Sequence, residues 1–129
     1  MRKYLDDIGV TDRPDTWEPK NDIAARRQSM QRQMYGFDER EQWNLDYTFY
    51  LWLYEHLMAY KEQSAYLNLD DKRYTYKGKM WTQRELIDMM LDRLCYAFVK
   101  KNYDDNENDS EYVHEIEKIW SFILPAMWN

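Results

Sequence analysis

Few residues of this sequence could carry acid–base or redox chemistry. His56 and His114 are the only histidines, and Cys95 is the only cysteine. Glu111 and His114 form one Glu-x-x-His motif, whereas helical di-iron proteins need two such motifs and further inward glutamates. Cys95 lies beside a predicted apolar helical stripe, where a thiol is unreactive. We therefore expect a protein that is not an enzyme and that holds no cofactor or metal.

The segment "DDNENDSEYVHE", residues 104–115, comes closest to a metal-binding loop. Its oxygen-bearing side chains follow the spacing of a calcium loop and end on Glu115. Asp109, however, stands where such a loop has the glycine of its sharp turn. Ser110 is also a good helix N-cap, and a helix starting there would prevent the loop from enclosing an ion. A solvated acidic loop is the favoured interpretation, and Ca²⁺ binding is the alternative.

Charge argues against nucleic-acid binding. The formal net charge is −6, and residues 81–129 hold 5 basic against 10 acidic side chains. Binding to a phosphate backbone needs clustered Lys and Arg, and the nearest cluster here is Arg26, Arg27 and Arg32. We interpret these arginines as a solvated helix face, with the binding of a nucleotide phosphate as the alternative.

Composition indicates a compact helical domain. The chain has 129 residues, enough for one domain, and its 12 Tyr, 6 Trp, 4 Phe and 8 Met are too many for a disordered protein. Three Gly and three Pro are too few for a turn-rich β-sandwich. The sequence contains no run of about 18 apolar residues, the length that a membrane-spanning helix needs. Residues 1–20 lack the apolar run of a secretory signal, which favours the cytosol.

The run "FYLWLY", residues 49–54, is apolar on every side. Six residues turn through about 600° of a helix, and a helix that is apolar all round is normally internal. We predict a central helix over about 44–62, in a small helical bundle. Residues 1–21 carry no sustained period and are predicted to form an extended N-terminal arm.

The other elements follow from caps and periodicity. Asp22 is the predicted N-cap of a helix that ends at Gly36 and packs lightly through Ile23, Met30 and Met34. Asp38 caps the helix that follows. The remaining predictions are a β-hairpin near 73–81 around Lys77-Gly78, a helix opened by the capping box Thr82–Glu85, an acidic linker over 104–111, and a last helix from about Ser110 to Leu124, closed by Met127 and Trp128.

Two stretches carry a family resemblance. "YGFDEREQWNLDYTFYLWLYEHLMAYKE" and the ending "IEKIWSFILPAMWN" resemble small uncharacterised helical proteins encoded by phages and prophages of gut bacteria. The shared pattern is a Trp-x-Leu-Asp-Tyr helix start and a C-terminal Trp. The resemblance implies a mobile-element origin and a bacterial cytoplasm. It supplies no catalytic residues. Trp43 and Asp46 in the motif are interpreted as structural, Trp43 as a core anchor.

These observations predict an accessory protein that binds a host or phage protein, in its most specific form as an anti-CRISPR-like inhibitor of a bacterial defence system. The alternatives are a self-assembling structural or replication component, for example a homodimer, and a small-ligand binding module that holds a nucleotide with Arg26, Arg27 and Arg32. The predicted partner-binding residues are the aromatic side chains of the central helix, which could be partly exposed, and the carboxylates of the acidic segment: Tyr50, Trp52, Tyr54, Asp104, Asp105, Glu107, Asp109 and Glu111.

Overall fold

The structure is a computed structural model that describes residues 3–63 and 69–127. Within these residues the chain forms six α-helices and one two-stranded antiparallel sheet, which confirms a mainly helical fold with a minor hairpin. The elements are α1 (Lys3–Asp7), α2 (Asp22–Tyr35), α3 (Glu39–Trp43), α4 (Leu45–Glu62), β1 (Arg73–Tyr76), β2 (Lys79–Thr82), α5 (Gln83–Lys100) and α6 (Glu107–Ile123). Trp128 lies outside the described residues.

The chain divides into two compact units, residues 1–55 and 56–129. In the first unit, the segment predicted as an extended arm contains α1 and a 3₁₀ turn at Pro14–Thr16. Leu5 of α1 is fully buried, and its backbone N–H donates to Oε1 of Glu55 at 3.2 Å. Arg13 is also buried and donates to the exposed Asp6 at 2.7 Å, so a partly buried ion pair ties α1 to the turn.

Helix α2 has the expected end and a different start. Gly36 adopts φ +82°, the left-handed conformation that closes a helix. The N-cap is Asn21 rather than Asp22, because the Asn21 side chain accepts the N–H of Ala24 at 2.8 Å. The start is therefore shifted by one residue from the prediction.

The predicted packing residues of α2 are wrong. Ile23, Met30 and Met34 are 72%, 61% and 69% exposed, whereas Ala24 and Gln28 are buried. The helix packs against the rest of the first unit through one small and one polar side chain, so its large apolar side chains remain exposed to solvent.

Asp38 caps α3 as predicted and accepts the N–H of Arg40 at 2.9 Å. Helix α3 ends at Asn44, which has φ −133° and ψ 75°, so α3 and α4 are separate helices. Trp43, the predicted core anchor, ends α3 and is 57% exposed, so that assignment is wrong. Asp46 is exposed as well, at the start of α4.

In α4, most side chains of the run "FYLWLY" are buried, and one side of the helix is exposed. Tyr50, Leu51, Leu53 and Tyr54 are buried, and Trp52 is 43% exposed. The helix bounds agree with the predicted range, and most of the run is internal. Burial on every side is wrong because Trp52 faces solvent.

The second unit contains the hairpin, with Tyr74 paired to Trp81. Lys77 and Gly78 have φ of 54° and 71°; two positive φ values are typical of the type I′ turn that matches strand twist. Tyr74 and Tyr76 contact the ring of Phe122 in α6 at centroid distances of 5.9 and 5.5 Å. The hairpin therefore lies against a helix, as expected.

Helix α5 begins with the predicted capping box of Thr82 and Glu85. The apolar stripe predicted for this helix is buried throughout. Its members are Leu86, Ile87, Met90, Leu91, Leu94, Ala97 and Phe98.

Helix α6 begins earlier than predicted. Its N-cap is Asn106, whose side chain accepts the N–H groups of Asn108 and Asp109. The linker predicted over 104–111 is therefore wrong in its second half, which is helix. The helix ends at Ile123, two residues before Pro125, as the missing proline N–H predicts.

Candidate partner-binding surface

Large apolar side chains are exposed mainly in the first unit. Among the described residues, nine of the twelve exposed large hydrophobic side chains lie between positions 8 and 52, and three lie beyond. The nine are Ile8, Ile23, Met30, Met34, Tyr35, Phe37, Trp43, Leu45 and Trp52. Single exposed apolar residues are ordinary, but a concentration of them with Met and Trp is typical of an interaction surface.

Helix α2 carries the most regular part of this surface. Ile23, Met30 and Met34 are separated by seven and four residues, which places them on one helix face. We call this set the α2 apolar stripe. Beyond the stripe, the rings of Tyr35 and Phe37 stack at 5.9 Å, so the apolar surface continues past Gly36.

A second part of the surface is a pair of stacked tryptophans. The rings of Trp17 and Trp43 lie 6.5 Å apart at an interplanar angle of 8°. Asp12 holds this pair: its carboxylate accepts from Nε1 of Trp17 at 2.6 Å, and its carbonyl accepts from the Tyr47 hydroxyl at 2.9 Å. Burial, and then the negative charge of Asp12, raise the pKa of Tyr47, so this hydroxyl remains a hydrogen-bond donor.

The three aromatic residues predicted to bind a partner differ in their burial. Tyr50 and Tyr54 are buried, at 2% and 5% exposure, so their predicted availability for docking is wrong. Trp52 remains accessible, and its ring stacks on Phe49 at 6.2 Å. The physical reason is the helical period, because residues 50 and 54 share one face and residue 52 lies about 160° away.

The three arginines proposed for phosphate binding do not form one open site. Arg27 contacts Glu39 at 2.7 Å, and Arg32 contacts Asp38 at 2.7 Å and Glu41 at 3.0 Å. A phosphate would have to compete with these carboxylates. Arg26 is exposed to solvent.

The acidic segment presents only part of its charge to solvent. Asp104, Asp105, Glu107 and Glu111 are exposed. Asp109 is held by the hydroxyl of Tyr96, and Lys100 lies 3.7 Å from it. Hydrogen bonds thus turn one of the predicted carboxylates into a link between α5 and α6.

Asp104, the remaining predicted acidic residue, lies in a 3₁₀ turn and contacts Nε2 of His114 at 3.2 Å. Nδ1 of the same ring faces Glu117 at 3.2 Å. Burial lowers the pKa of His114, but the hydrogen bonds and charges of Asp104 and Glu117 outweigh it and raise the pKa above the ordinary 6.5. The histidine is an ion-pair partner joining the turn to α6.

The calcium loop is not formed. Residues from Glu107 onward are helical, so the chain cannot wrap an ion between Asp104 and Glu115. Glu115 is buried and accepts from the Tyr76 hydroxyl at 2.9 Å, away from the proposed ligands. Among the described residues, no group of three or more His, Cys, Asp or Glu side chains is placed to hold a metal ion.

Glu115 is the centre of a charged network that sequence analysis missed. Lys77 lies 2.9 Å and Arg93 3.6 Å from its carboxylate. Burial raises the pKa of Glu115, but hydrogen bonds from Lys77 and Tyr76 and the charge of Arg93 lower it overall. Burial, followed by the bond to Glu115, raises the pKa of Tyr76 to about 12. The network fastens the hairpin to α5 and α6.

Comparison of the chain with protein-family models, curated proteins and solved structures finds no match. Across the part of the chain that the structure describes, no helix is long and apolar enough to cross a membrane.

The α2 apolar stripe and the Trp17–Trp43 pair were not predicted from the sequence as surface features. A signal for the first was available: α2 is rich in Gln and Arg, and three large apolar residues on such a helix have few apolar neighbours to pack with. For the tryptophans there was no comparable signal, because their 26-residue separation does not reveal the stack.

Proposed function

We propose that this chain is a non-enzymatic accessory protein of a phage or mobile genetic element that acts by binding a protein of its bacterial host. The supporting observation is the concentration of exposed Met, Trp and other large apolar side chains in the first unit. Trp, Tyr and Met dominate the cores of protein interfaces. The mobile-element origin rests on the resemblance of the Trp43–Tyr47 motif and the C-terminal sequence.

The specific form that we propose is inhibition of a bacterial defence system. Proteins of such systems commonly present basic grooves to nucleic acid, and an acidic protein can occupy a basic groove by charge complementarity. Asp105, Glu107 and Glu111 are the exposed carboxylates suited to this role. In this proposal the apolar surface supplies the affinity, and the acidic segment steers the approach.

The buried ionisable groups support a binding protein in preference to an enzyme. Asp38 is surrounded by Arg32 and Arg40, and Glu115 by Lys77 and Arg93. Each buried carboxylate therefore meets opposite charges within the fold, which stabilises its ionised form.

The test is phage plating in bacterial strains that each carry one defence system, with and without this protein. We expect plating to rise in at least one strain. The double variant Met30→Gln/Met34→Gln should lose the effect, because it removes the α2 apolar stripe. Met80→Gln is the matched control, since Met80 is a similarly exposed methionine of the second unit. Unchanged plating across a broad panel would contradict the defence role.

Self-association is the second candidate, favoured by the same α2 apolar stripe, which could pair with its copy in a second chain. Light scattering separates the two proposals. A dimer that dissociates in Met30→Glu while the circular dichroism spectrum is unchanged would favour assembly. A monomeric wild type would leave partner binding.

A further inference from the structure

The second unit shows how this chain places an arginine on an aromatic ring. The guanidinium of Arg93 lies over the ring of Tyr112, 4.2 Å from its centroid. The hydroxyl of Tyr112 donates to the carboxylate of Asp92, and Nη1 of Arg93 donates to the same carboxylate at 3.0 Å. One carboxylate therefore holds both the ring and the cation, and the flat guanidinium stacks on the ring face.

The Trp17–Trp43 pair of the first unit has the ring and the carboxylate of this arrangement. Nε1 of Trp17 donates to the carboxylate of Asp12 at 2.6 Å, and the ring of Trp43 lies parallel to that of Trp17. Trp43 is 57% exposed although one of its faces is turned to Trp17, so its other face is open to solvent. Trp is the aromatic side chain that attracts cations most strongly.

The arginine of the arrangement is not supplied by the first unit. Across residues 3–63 and 69–127, no Lys or Arg side chain lies over the ring of Trp17 or Trp43. By contrast, Nζ of Lys79 lies over the ring of Trp81 in the hairpin, 4.6 Å from its centroid. The exposed tryptophan pair therefore offers a cation-binding face that no cation of the described chain uses.

The charge around the pair suits a cation. In residues 4–19 the single basic residue, Arg13, is buried and paired with Asp6. Arg40 donates to the carbonyl of Trp17 at 2.7 Å, but its side chain is only 12% exposed and is paired with the buried Asp38. The exposed charged side chains of residues 4–19 are all acidic, and they are Asp6, Asp7, Asp12, Asp15 and Glu18. This surface attracts a cation and repels a phosphate.

We propose that the Trp17–Trp43 pair docks an arginine side chain of the partner protein, with the guanidinium stacked on the open face of Trp43 and attracted by the carboxylates around the pair. This inference rests on the proposed function and names the chemistry that the partner presents at one site. Trp and Arg are both enriched among the residues that dominate binding energy at interfaces.

The geometry favours arginine over other cations and over a nucleobase. A planar guanidinium stacks on one flat ring, whereas ammonium ligands are recognised by cages of several aromatic rings. The two indoles lie parallel to each other and form no such cage. A nucleobase of a nucleic acid would bring its phosphates to an acidic surface, which opposes binding.

The test uses short peptides, so that it does not depend on identifying the native partner. The ¹⁵N-labelled full chain is titrated, up to about 20 mM peptide, with Ac-Gly-Arg-Gly-Arg-Gly-amide. The same peptide with citrulline, which keeps the shape and removes the charge, and with lysine are titrated separately. We expect shifts of the indole N–H signals of Trp17 and Trp43, and an affinity about tenfold lower for the citrulline peptide. The affinity of the lysine peptide should lie between the two.

Two pairs of variants locate the binding. Trp43→Leu should lower the affinity for the arginine peptide about tenfold. Trp81→Leu is the matched control and should leave it unchanged, because Lys79 already lies over that ring. Asp12→Asn keeps an acceptor for the indole N–H and removes the charge, so it should lower the affinity about threefold. Asp22→Asn, at an exposed aspartate outside residues 4–19, should not. Each variant must keep the wild-type amide spectrum away from the substituted residue.

Absence of shifts at the two indole signals of the folded wild type would overturn the inference. Equal binding of the citrulline peptide would show packing without a cation, and equal binding of the lysine peptide would show charge attraction without stacking, so either result contradicts it. The two proposals can fail separately. Phage rescue without arginine binding would leave the proposed function and remove only this site, whereas arginine binding without phage rescue in any strain would remove the defence role and leave the site.

Discussion

Asp38 shows how one buried charge organises the first unit. Its side chain is completely buried, caps α3 and contacts Arg32 and Arg40. The side-chain hydrogen bond from Arg40 is the largest influence; together with the backbone bond and both positive charges it outweighs burial and lowers the pKa from 3.8 to about 2. Because this pKa is lowered on folding, the ionised carboxylate stabilises the fold above the unfolded pKa, and that contribution disappears as pH falls through the folded pKa.

We predict that Asp38→Asn lowers the free energy of unfolding at neutral pH by about 2 kcal/mol. Asparagine still caps a helix, so the loss reports the missing charge beside the two guanidinium groups. Urea unfolding measures it. The difference between wild type and variant should be constant at neutral pH and shrink between about pH 4 and pH 2.

Asp22→Asn is the control for that measurement, because Asp22 is an exposed aspartate in the first turn of α2. This substitution should lower the free energy of unfolding by less than about 1 kcal/mol, and the difference from wild type should change little over the same pH interval. An Asp38→Asn variant as stable as wild type at neutral pH would contradict the role assigned to the buried charge.

His114 gives a prediction of opposite sign. Its pKa is raised on folding by Asp104 and Glu117, so the charged ring stabilises the fold below the unfolded pKa, and the contribution is lost as pH rises through the folded value. An NMR titration of His114 should give a midpoint above 6.5. The double variant Asp104→Asn/Glu117→Gln should move that midpoint downward, and an unmoved midpoint would contradict the ion-pair assignment.

At the scale of elements, the hairpin depends on α6 for its stability, because an isolated two-stranded hairpin is marginal in water. The rings of Tyr74 and Tyr76 lie on Phe122, and the hydroxyl of Tyr76 donates to buried Glu115. The hydroxyl stays protonated at neutral pH, since the pKa of Tyr76 is raised to about 12. The hairpin is thus attached by two ring contacts to Phe122, by the hydrogen bond from Tyr76 and by the ion pair of Lys77 with Glu115.

We expect Tyr76→Phe to lower the free energy of unfolding by about 1.5–3 kcal/mol, because it leaves the buried carboxylate one donor short. Tyr74→Phe on the same strand is the matched control and should cost less than about 0.5 kcal/mol. Hydrogen exchange of the β1 and β2 amides should accelerate in the first variant alone. Equal effects of the two substitutions would mean that ring packing, and not the bond to Glu115, attaches the hairpin.

At the scale of the whole molecule, the residues of the proposed binding surface differ from the residues that stabilise the fold. The exposed apolar side chains are concentrated in the first unit, while the longest buried stripes belong to α5 and α6. A side chain already in solvent loses little on truncation, whereas deleting a buried one removes packing contacts and leaves a cavity.

The free energy of unfolding of the Met30→Gln/Met34→Gln variant should therefore lie within about 0.5 kcal/mol of the wild-type value. Ile116→Ala, at a fully buried position of α6, should lose about 2–5 kcal/mol. Thermal and urea unfolding would measure both. A strong loss of stability in the methionine variant would show that the stripe is packed, which would remove it as a docking surface.

Prediction from sequence succeeded where local rules decide the outcome. The capping box of Thr82, the turn at Lys77-Gly78, the stop at Gly36 and the end of α6 before Pro125 all depend on neighbouring residues, and all are confirmed. It failed for Trp43, since an apolar residue on a periodic face is buried only if another element covers that face. The charged network around Glu115 was missed for the same reason, because its members come from separate elements.

The sequence by itself determined the four longer helices, the hairpin and the acidic net charge, since caps, turn residues, hydrophobic period and charge act over a few residues or simply add up. Only the tertiary structure decided which apolar side chains remain in solvent, which carboxylates are paired and that Gln28 is buried without a donor. Burial depends on what other parts of the chain cover, and a linear pattern does not contain that information.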